Sequence, residues 1–173
     1  MSSFRPVYRF LRCACFAFVA GLAITACQVR PLYSDVAGGS VQSIGISAPA
    51  SRVAQVVRNE LIFGFSGGGG EPTNPQYDMD LNVSVTNQGV LPAGNADEFA
   101  AARIVVAVSY TLRDSASGER LFSGERHAVA SLDNPDQEYG RTRAVLDAEN
   151  RAAREAAAFI RLDVVGKLAG RAR

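Results

Sequence analysis

The 173-residue chain has no tryptophan, one histidine and three cysteines. Each scarcity narrows what the protein can do. A single histidine, His127, leaves little for acid–base catalysis or metal ligation, because both rest on partnered constellations of side chains. Net charge is scarce too. Eighteen Lys and Arg stand against 17 Asp and Glu, for a formal balance of +1. No global basic field for nucleic acid exists, and any anion site must be local. The cysteines exclude a disulfide framework: Cys13 and Cys15 lie in an N-terminal apolar segment, and only Cys27 follows it. That segment, Cys13 to Ala26, is fourteen residues without a charge. It is too short to span a bilayer, which takes ~20 apolar residues.

What the N-terminus does hold is ordered. Arg5, Arg9 and Arg12 precede the apolar stretch with no acid among them. These are the basic and hydrophobic regions of a secretory signal. The stretch closes on Leu22-Ala23-Ile24-Thr25-Ala26-Cys27, small residues before a cysteine, which looks like the lipobox of a bacterial lipoprotein. A simple signal peptidase site would explain the run but not the cysteine placed straight after it. Cleavage before Cys27 removes three arginines and no acid, so the balance moves from +1 to −2 and 147 residues remain. That length suits one domain with a real core. Acylation of Cys27 also consumes a thiol otherwise left unpaired in an oxidising compartment. The expected division is a signal peptide at 1–26, a lipidated tether at 27–40 and a single domain at 41–173.

Within that domain the hydrophobic periods change in order. Val41 to Ser47 alternates, with Ile44 and Ile46 on one side, and reads as a short strand. Pro49 and Ser51 open a helix whose stripe is Val53, Val56, Val57 and Leu61, and Gly64 with Gly67 to Gly70 stop it. Gln76 to Gln88 is the clearest strand. Tyr77, Met79, Leu81, Val83 and Val85 alternate with Asp78, Asp80, Asn82, Ser84 and Thr86. A strict period of two means one face buried and one face wet. A loop is expected over 86–99, then a strand from Arg103 to Arg113 and a turn at Asp114 to Gly118. The partner strand, Glu119 to Leu132, alternates poorly, which fits either a bulge or an edge strand. An Ala-rich helix from about Tyr139 to Leu168 lines Leu146, Ala153, Ala157, Ile160, Val164 and Leu168 along one side. The order β-α-β-β-β-α predicts an α+β two-layer sandwich. Its four-stranded, mostly antiparallel sheet carries two helices on one face.

The motifs are sparse. The glycine run Gly64 to Gly70 follows a helix rather than a strand and lacks a closing Gly-Lys-Ser or Gly-Lys-Thr, so it reads as a connector and not a phosphate loop. His127 shares a strand face with Glu125, but no Gly-x-Ser-x-Gly and no second histidine supports hydrolysis. Asp78 and Asp80 lack further ligands for a metal and read as the solvated face of a sheet. Arg103 and Arg113 lie on a polar strand face. They are the candidate contacts for an anionic glycolipid or a partner, since guanidinium groups pair well with phosphate. The competing reading is ordinary solvated charge. No catalytic or metal site is expected, and no cofactor beyond the acyl chains on Cys27.

Four passages together resemble the LptE family of lipopolysaccharide-assembly lipoproteins. They are Arg30-Pro31-Leu32-Tyr33 soon after the cysteine, Val56-Val57-Arg58-Asn59-Glu60-Leu61 leading into Tyr77-Asp78-Met79-Asp80-Leu81-Asn82-Val83, then Tyr110-Thr111-Leu112-Arg113-Asp114, and Ala148 to Glu155. The resemblance implies an outer-membrane lipoprotein, not an enzyme, that sits inside the LptD-type β-barrel. It implies help with that barrel's assembly and with insertion of lipopolysaccharide into the outer leaflet. Of the family's functional residues only Cys27 carries over. The alternative is a lipoprotein accessory of another envelope efflux or secretion machine, which the same anchor and fold would serve.

Overall fold

The computed structural model describes residues 41–92 and 99–171. Cys27, the expected signal peptide and the tether lie outside the described residues. Six elements follow in order: β1 (Ile44–Ile46), α1 (Arg52–Ser66), β2 (Tyr77–Pro92), β3 (Phe99–Asp114), β4 (Arg120–Asp133) and α2 (Glu138–Arg171). The sheet order is β1-β2-β3-β4. Strand β1 runs parallel to β2, while β2–β3 and β3–β4 are antiparallel. The parallel pair requires a crossover, and α1 is that crossover. Both helices pack on one side of the sheet, α1 against β1 and β2, α2 against β3 and β4, and each against the other. The expected β-α-β-β-β-α sandwich is the observed fold. Among the described residues no helix is long and apolar enough to cross a membrane.

Local chemistry sets the helix ends. The Ser51 side chain accepts a hydrogen bond from the Ala54 N–H at 3.1 Å and so caps the start of α1. The helix ends at Gly67, where φ is 62°. Gly64, expected to help stop the helix, continues it. A Cβ at Gly64 would lie 2.8 Å from Arg161 Cδ on α2. The missing side chain therefore serves the helix–helix approach. On α2 the buried stripe is richer in alanine than the sequence predicts. Ala148, Ala152, Ala153 and Ala156 have no exposed surface, while Leu146 is only half-buried. Alanine carries little hydrophobic contrast, so it hides in a periodicity reading, yet its small volume brings the helix axis close to the sheet.

The core joins α1, the sheet and α2. Val57, Leu61, Ile104, Val106, Val108, Leu112, Ile160 and Val164 are fully enclosed. Even-numbered residues of β3 point into it, as the sequence predicts. The long β2–β3 hairpin differs from expectation. Pairing continues to Pro92↔Phe99 through register shifts at Gly89/Leu91 and Leu91/Pro92, across most of what reads as a loop. From Val85 onward every residue of β2 is exposed. With neither face covered, the period-two signal fades although the backbone ladder persists. A Cβ on Gly89 would fall 2.2 Å from the Phe99 ring, so the ring lies directly over that glycine. At the other end, β1 is shorter than predicted, three residues in place of seven. The poor alternation of β4 has both expected causes. It is an edge strand, and a register shift between Leu112 and Arg113 of β3 accommodates the adjacent Leu121 and Phe122.

A polar hub ties α2 to the sheet. The Tyr110 hydroxyl on β3 donates to Asp163 Oδ2 on α2. Lys167 Nζ lies 3.1 Å from the same oxygen and 3.0 Å from the Tyr110 hydroxyl. Arg126 on β4 pairs with Asp163 Oδ1 at 2.8 Å. Lys167 also stands 5.3 Å from the Tyr110 ring centre and 5.2 Å from that of Phe122. Gly124 makes the room. A Cβ there would meet Tyr110 at 2.8 Å and Asp163 at 3.0 Å. Burial alone would raise the Asp163 carboxyl. Hydrogen bonds from Tyr110 and Lys167, with the charges of Lys167 and Arg126, outweigh it and hold the group below the usual carboxylate range. Burial, then the hydrogen bond to Asp163 and its negative charge, push the Tyr110 phenol upward.

The hub makes a testable contribution to stability. Asp163→Asn keeps the shape but leaves Arg126 and Lys167 without their carboxylate, at a cost of about 1–3 kcal/mol. Because the folded pKa lies below the unfolded one, the stabilisation is complete above about pH 4 and is lost as pH falls through the folded value. Urea midpoints across pH 2–7 should show wild type and variant converging only at the acid end. Parallel curves would refute the assignment.

Candidate functional site

Opposite the helices the sheet presents a second face. Alternation dictates it: β2 turns Asp78, Asp80, Asn82, Ser84, Thr86 and Gln88 this way, because Met79, Leu81 and Val83 turn toward the helices. Antiparallel register then builds cross-strand rows. Asn82 lies beside Ser109 and Glu125, Ser84 beside Ala107 and His127, and Gln88 beside Arg103 and Ser131. The centre of this face is mostly polar, with Val105, Ala107 and Val129 set among the polar groups, and both helices lie on the far side of the sheet.

The face is ordered at its ends. Arg103 Nε donates to Gln88 Oε1 at 2.7 Å. Arg113 Nε sits 3.5 Å from Asp80 Oδ2, a loose ion pair with both side chains largely exposed. The Ser115 hydroxyl donates to Asp78 Oδ2 at 2.6 Å. In the β3–β4 turn, Asp114 Oδ1 accepts from the Ser117 N–H, the Ser117 hydroxyl and the Ala116 N–H. The Ser117 bonds, assisted by Ala116, hold that carboxyl below its ordinary range. Gly118 follows with φ 71°, as the turn requires. A groove of about 500 Å³ opens beside this end, bounded by Glu71, Pro72, Pro75, Asp78, Asp80 and Arg113. The other end, where the β2–β3 hairpin outruns the helices, exposes Val90, Leu91 and Phe99.

The sequence candidates fall apart in space. Arg103 and Arg113 share the face, but ten residues of extended strand separate them by ~33 Å. They stand at opposite ends and cannot grip one phosphate together. His127 is exposed and faces Ala107 across the ladder, with Glu125 two residues away on the same face. Asp78 and Asp80 are taken up by Ser115 and Arg113. Among the described residues no group of three His, Cys, Asp or Glu is placed to hold a metal. Gly67, Gly68 and Gly70 adopt positive φ and form a connector between α1 and β2. The Asp163 hub was not foreseen. Asp163 and Lys167 lie 37 to 57 positions from Arg126 and Tyr110, and the Asp163–Lys167 spacing of four is the one local signal.

Comparison with known proteins gives a consistent answer. The family model described as LptE, lipopolysaccharide-assembly, matches residues 40–163. A crystal structure described as a lipoprotein from Caulobacter crescentus CB15 is 26% identical. It aligns over 78% of this chain and 96% of its own, with a TM-score of 0.63. Rare lipoprotein B from Shewanella oneidensis shares the fold at 10% identity and a TM-score of 0.57, over 76% of this chain and 98% of its own. A minor lipoprotein from Acinetobacter baumannii does so at 11% and 0.52, over 71% and 88%. No curated protein sequence matches. With its β-α-β-β-β-α domain matched almost end to end, the chain belongs to the LptE family of outer-membrane lipoproteins, whose work is lipopolysaccharide assembly rather than catalysis.

Proposed function

We propose that this chain binds and plugs an LptD-type outer-membrane β-barrel, assists its assembly, and helps it insert lipopolysaccharide into the outer leaflet. The open polar sheet face carries the reading. Barrel interiors are polar, so a plug needs a wall of hydrogen-bonding groups on one side and a closed apolar core on the other. The rows through Asn82, Ser109 and Glu125 supply the wall, and the two helices close the core. The β2–β3 hairpin adds a different surface at one end. There Arg103 and the exposed Leu91 belong to the open face, while the exposed Phe99 ring lies over Gly89 on the other side of the hairpin. That combination suits an amphipathic, phosphate-bearing glycolipid. Arg113, at the far end, serves a separate contact with the barrel.

Attachment to the membrane is assigned to Cys27, with residues 1–26 as the signal peptide and 27–40 as the tether. A single acyl chain binds a membrane only marginally. Two or three chains, at ~0.8 kcal/mol per buried methylene, hold it stably.

Two measurements test the reading. The tagged full-length protein, taken from detergent-solubilised membranes, should bring down one large β-barrel. Ser109→Tyr, placed at the centre of the open face, should lose that barrel while changing stability by no more than about 0.5 kcal/mol. Absence of any barrel from the wild-type pull-down ends the proposal. For the anchor, mass spectrometry of the wild-type N-terminal peptide should show acylated Cys27, and Cys27→Ser should show none. A free thiol on the wild-type peptide would refute lipidation.

A further inference from the structure

The two outer strands of this sheet carry an unusual number of side-chain caps on their backbones. In β1 the residues bonded to β2 are Ser43, Gly45 and Ser47, as Tyr77 N→Ser43 O and Ser47 N→Met79 O show, so Ile46 turns its N–H and C=O outward. Both groups are occupied. Glu71 Oε1 accepts from the Ile46 N–H at 3.1 Å, and Arg58 Nε donates to the Ile46 carbonyl at 3.3 Å and the Ser47 carbonyl at 3.2 Å. Arg58 and Glu71 are themselves paired at 2.6 Å, which locks the clamp.

Strand β4 is treated in the same way from the other side. The bond Asn134 N→Ala100 O fixes its even-numbered positions toward β3, so the odd-numbered carbonyls face out. Arg171 donates to the Leu121 carbonyl at 3.1 Å and Lys167 to that of Ser123 at 3.1 Å. Arg126 reaches the Glu125 carbonyl at 2.7 Å and Arg151 that of Ser131 at 2.9 Å. Three of these four cations project from α2. Only the outward carbonyls of His127 and Val129 are left between them. Outward groups recur at alternate positions, so the uncapped stretch is residues 126–130, the length of a short strand.

We infer that these caps are a device that hinders strand addition at β1 and along β4, either by a second copy of this chain or by unpaired strands of a β-rich partner, while β2 beyond Leu81 keeps an edge that β1 does not cover. Free edges are templates for such pairing, and charged side chains are a known way to blunt them. The inference concerns β1 and β4 and not the open edge of β2. It rests on the edges alone and stands whether or not the plug reading holds.

The test uses the full-length protein in detergent, with one set of caps removed at a time. Arg58→Gln opens β1, and the pair Arg151→Gln with Arg171→Gln opens β4. Arg143→Gln with Arg154→Gln removes the same charge from α2 without touching an edge. Sedimentation, thioflavin fluorescence and amide exchange are read on each. The expected result is self-association of the edge variants at concentrations where wild type and control stay monomeric. New amide protection should then fall on Glu125, His127 and Val129 for the β4 variant. Edge variants that associate no more than the control overturn the inference. So does association accompanied by loss of the helical circular dichroism signal, since unfolding rather than strand pairing would then be its cause.

Discussion

One carboxylate, Asp163, fixes how the long C-terminal helix meets the sheet. An alanine stripe packs closely but does not specify register, because small residues offer few distinct knobs and burial itself has no direction. Asp163 adds the direction. It takes a hydrogen bond from β3 through Tyr110 and an ion pair from β4 through Arg126, while Lys167 from its own helix closes the ring. Gly124 supplies the space, since any side chain there would strike Tyr110 and Asp163. A shift of α2 by one residue would part Asp163 from Tyr110 and leave Arg126 without its carboxylate, while Lys167 would move with Asp163. The position of Arg151, Lys167 and Arg171 over the edge of β4 follows from that single alignment.

With the helices fixed on one side, the division of labour across the sheet becomes clear. The inner face makes the core, and the edges are held by side chains reaching from α1 and α2. The outer face is left to water. Its centre sets Asn82, Ser109, Glu125 and His127 beside Val105, Ala107 and Val129, with arginines toward the ends. This distribution suits a broad, hydrogen-bonding contact more than a deep pocket for a small ligand. It also agrees with the non-enzymatic role of the LptE family, in which the protein contributes surface and the partner contributes transport.

Much of this architecture is legible in the sequence, for identifiable reasons. Strict alternation through Tyr77–Val85 and Ile104–Leu112 marks strands with one wet face, and the structure shows those faces. Ser51 and Gly67 mark the ends of α1 because caps are local chemistry. Three things are not legible. The outer half of the β2–β3 hairpin is covered on neither side, so it has no period to read. The Ala148–Ala156 stripe lacks hydrophobic contrast. The Asp163 hub and the edge caps bring together residues distant in the chain, such as Arg58 with Glu71 and Arg126 with Asp163, and no spacing announces them. Arg103 and Arg113 look like a pair in the sequence because they share a strand face. Strand geometry separates them by most of the length of the sheet.

The placement of α2 after β4 has a consequence in time. Chains are made and exported N-terminus first, and β2, β3 and β4 can pair through short-range hairpins as soon as they emerge. Helix α2 comes only afterward, yet it brings the lid of the core, the partner for Arg52 at Glu149, and most of the cover for β4. For an interval the sheet therefore exists with its apolar face bare and one side ready to recruit another strand. The protein is most exposed to misassembly while its last 34-residue element is still on the way.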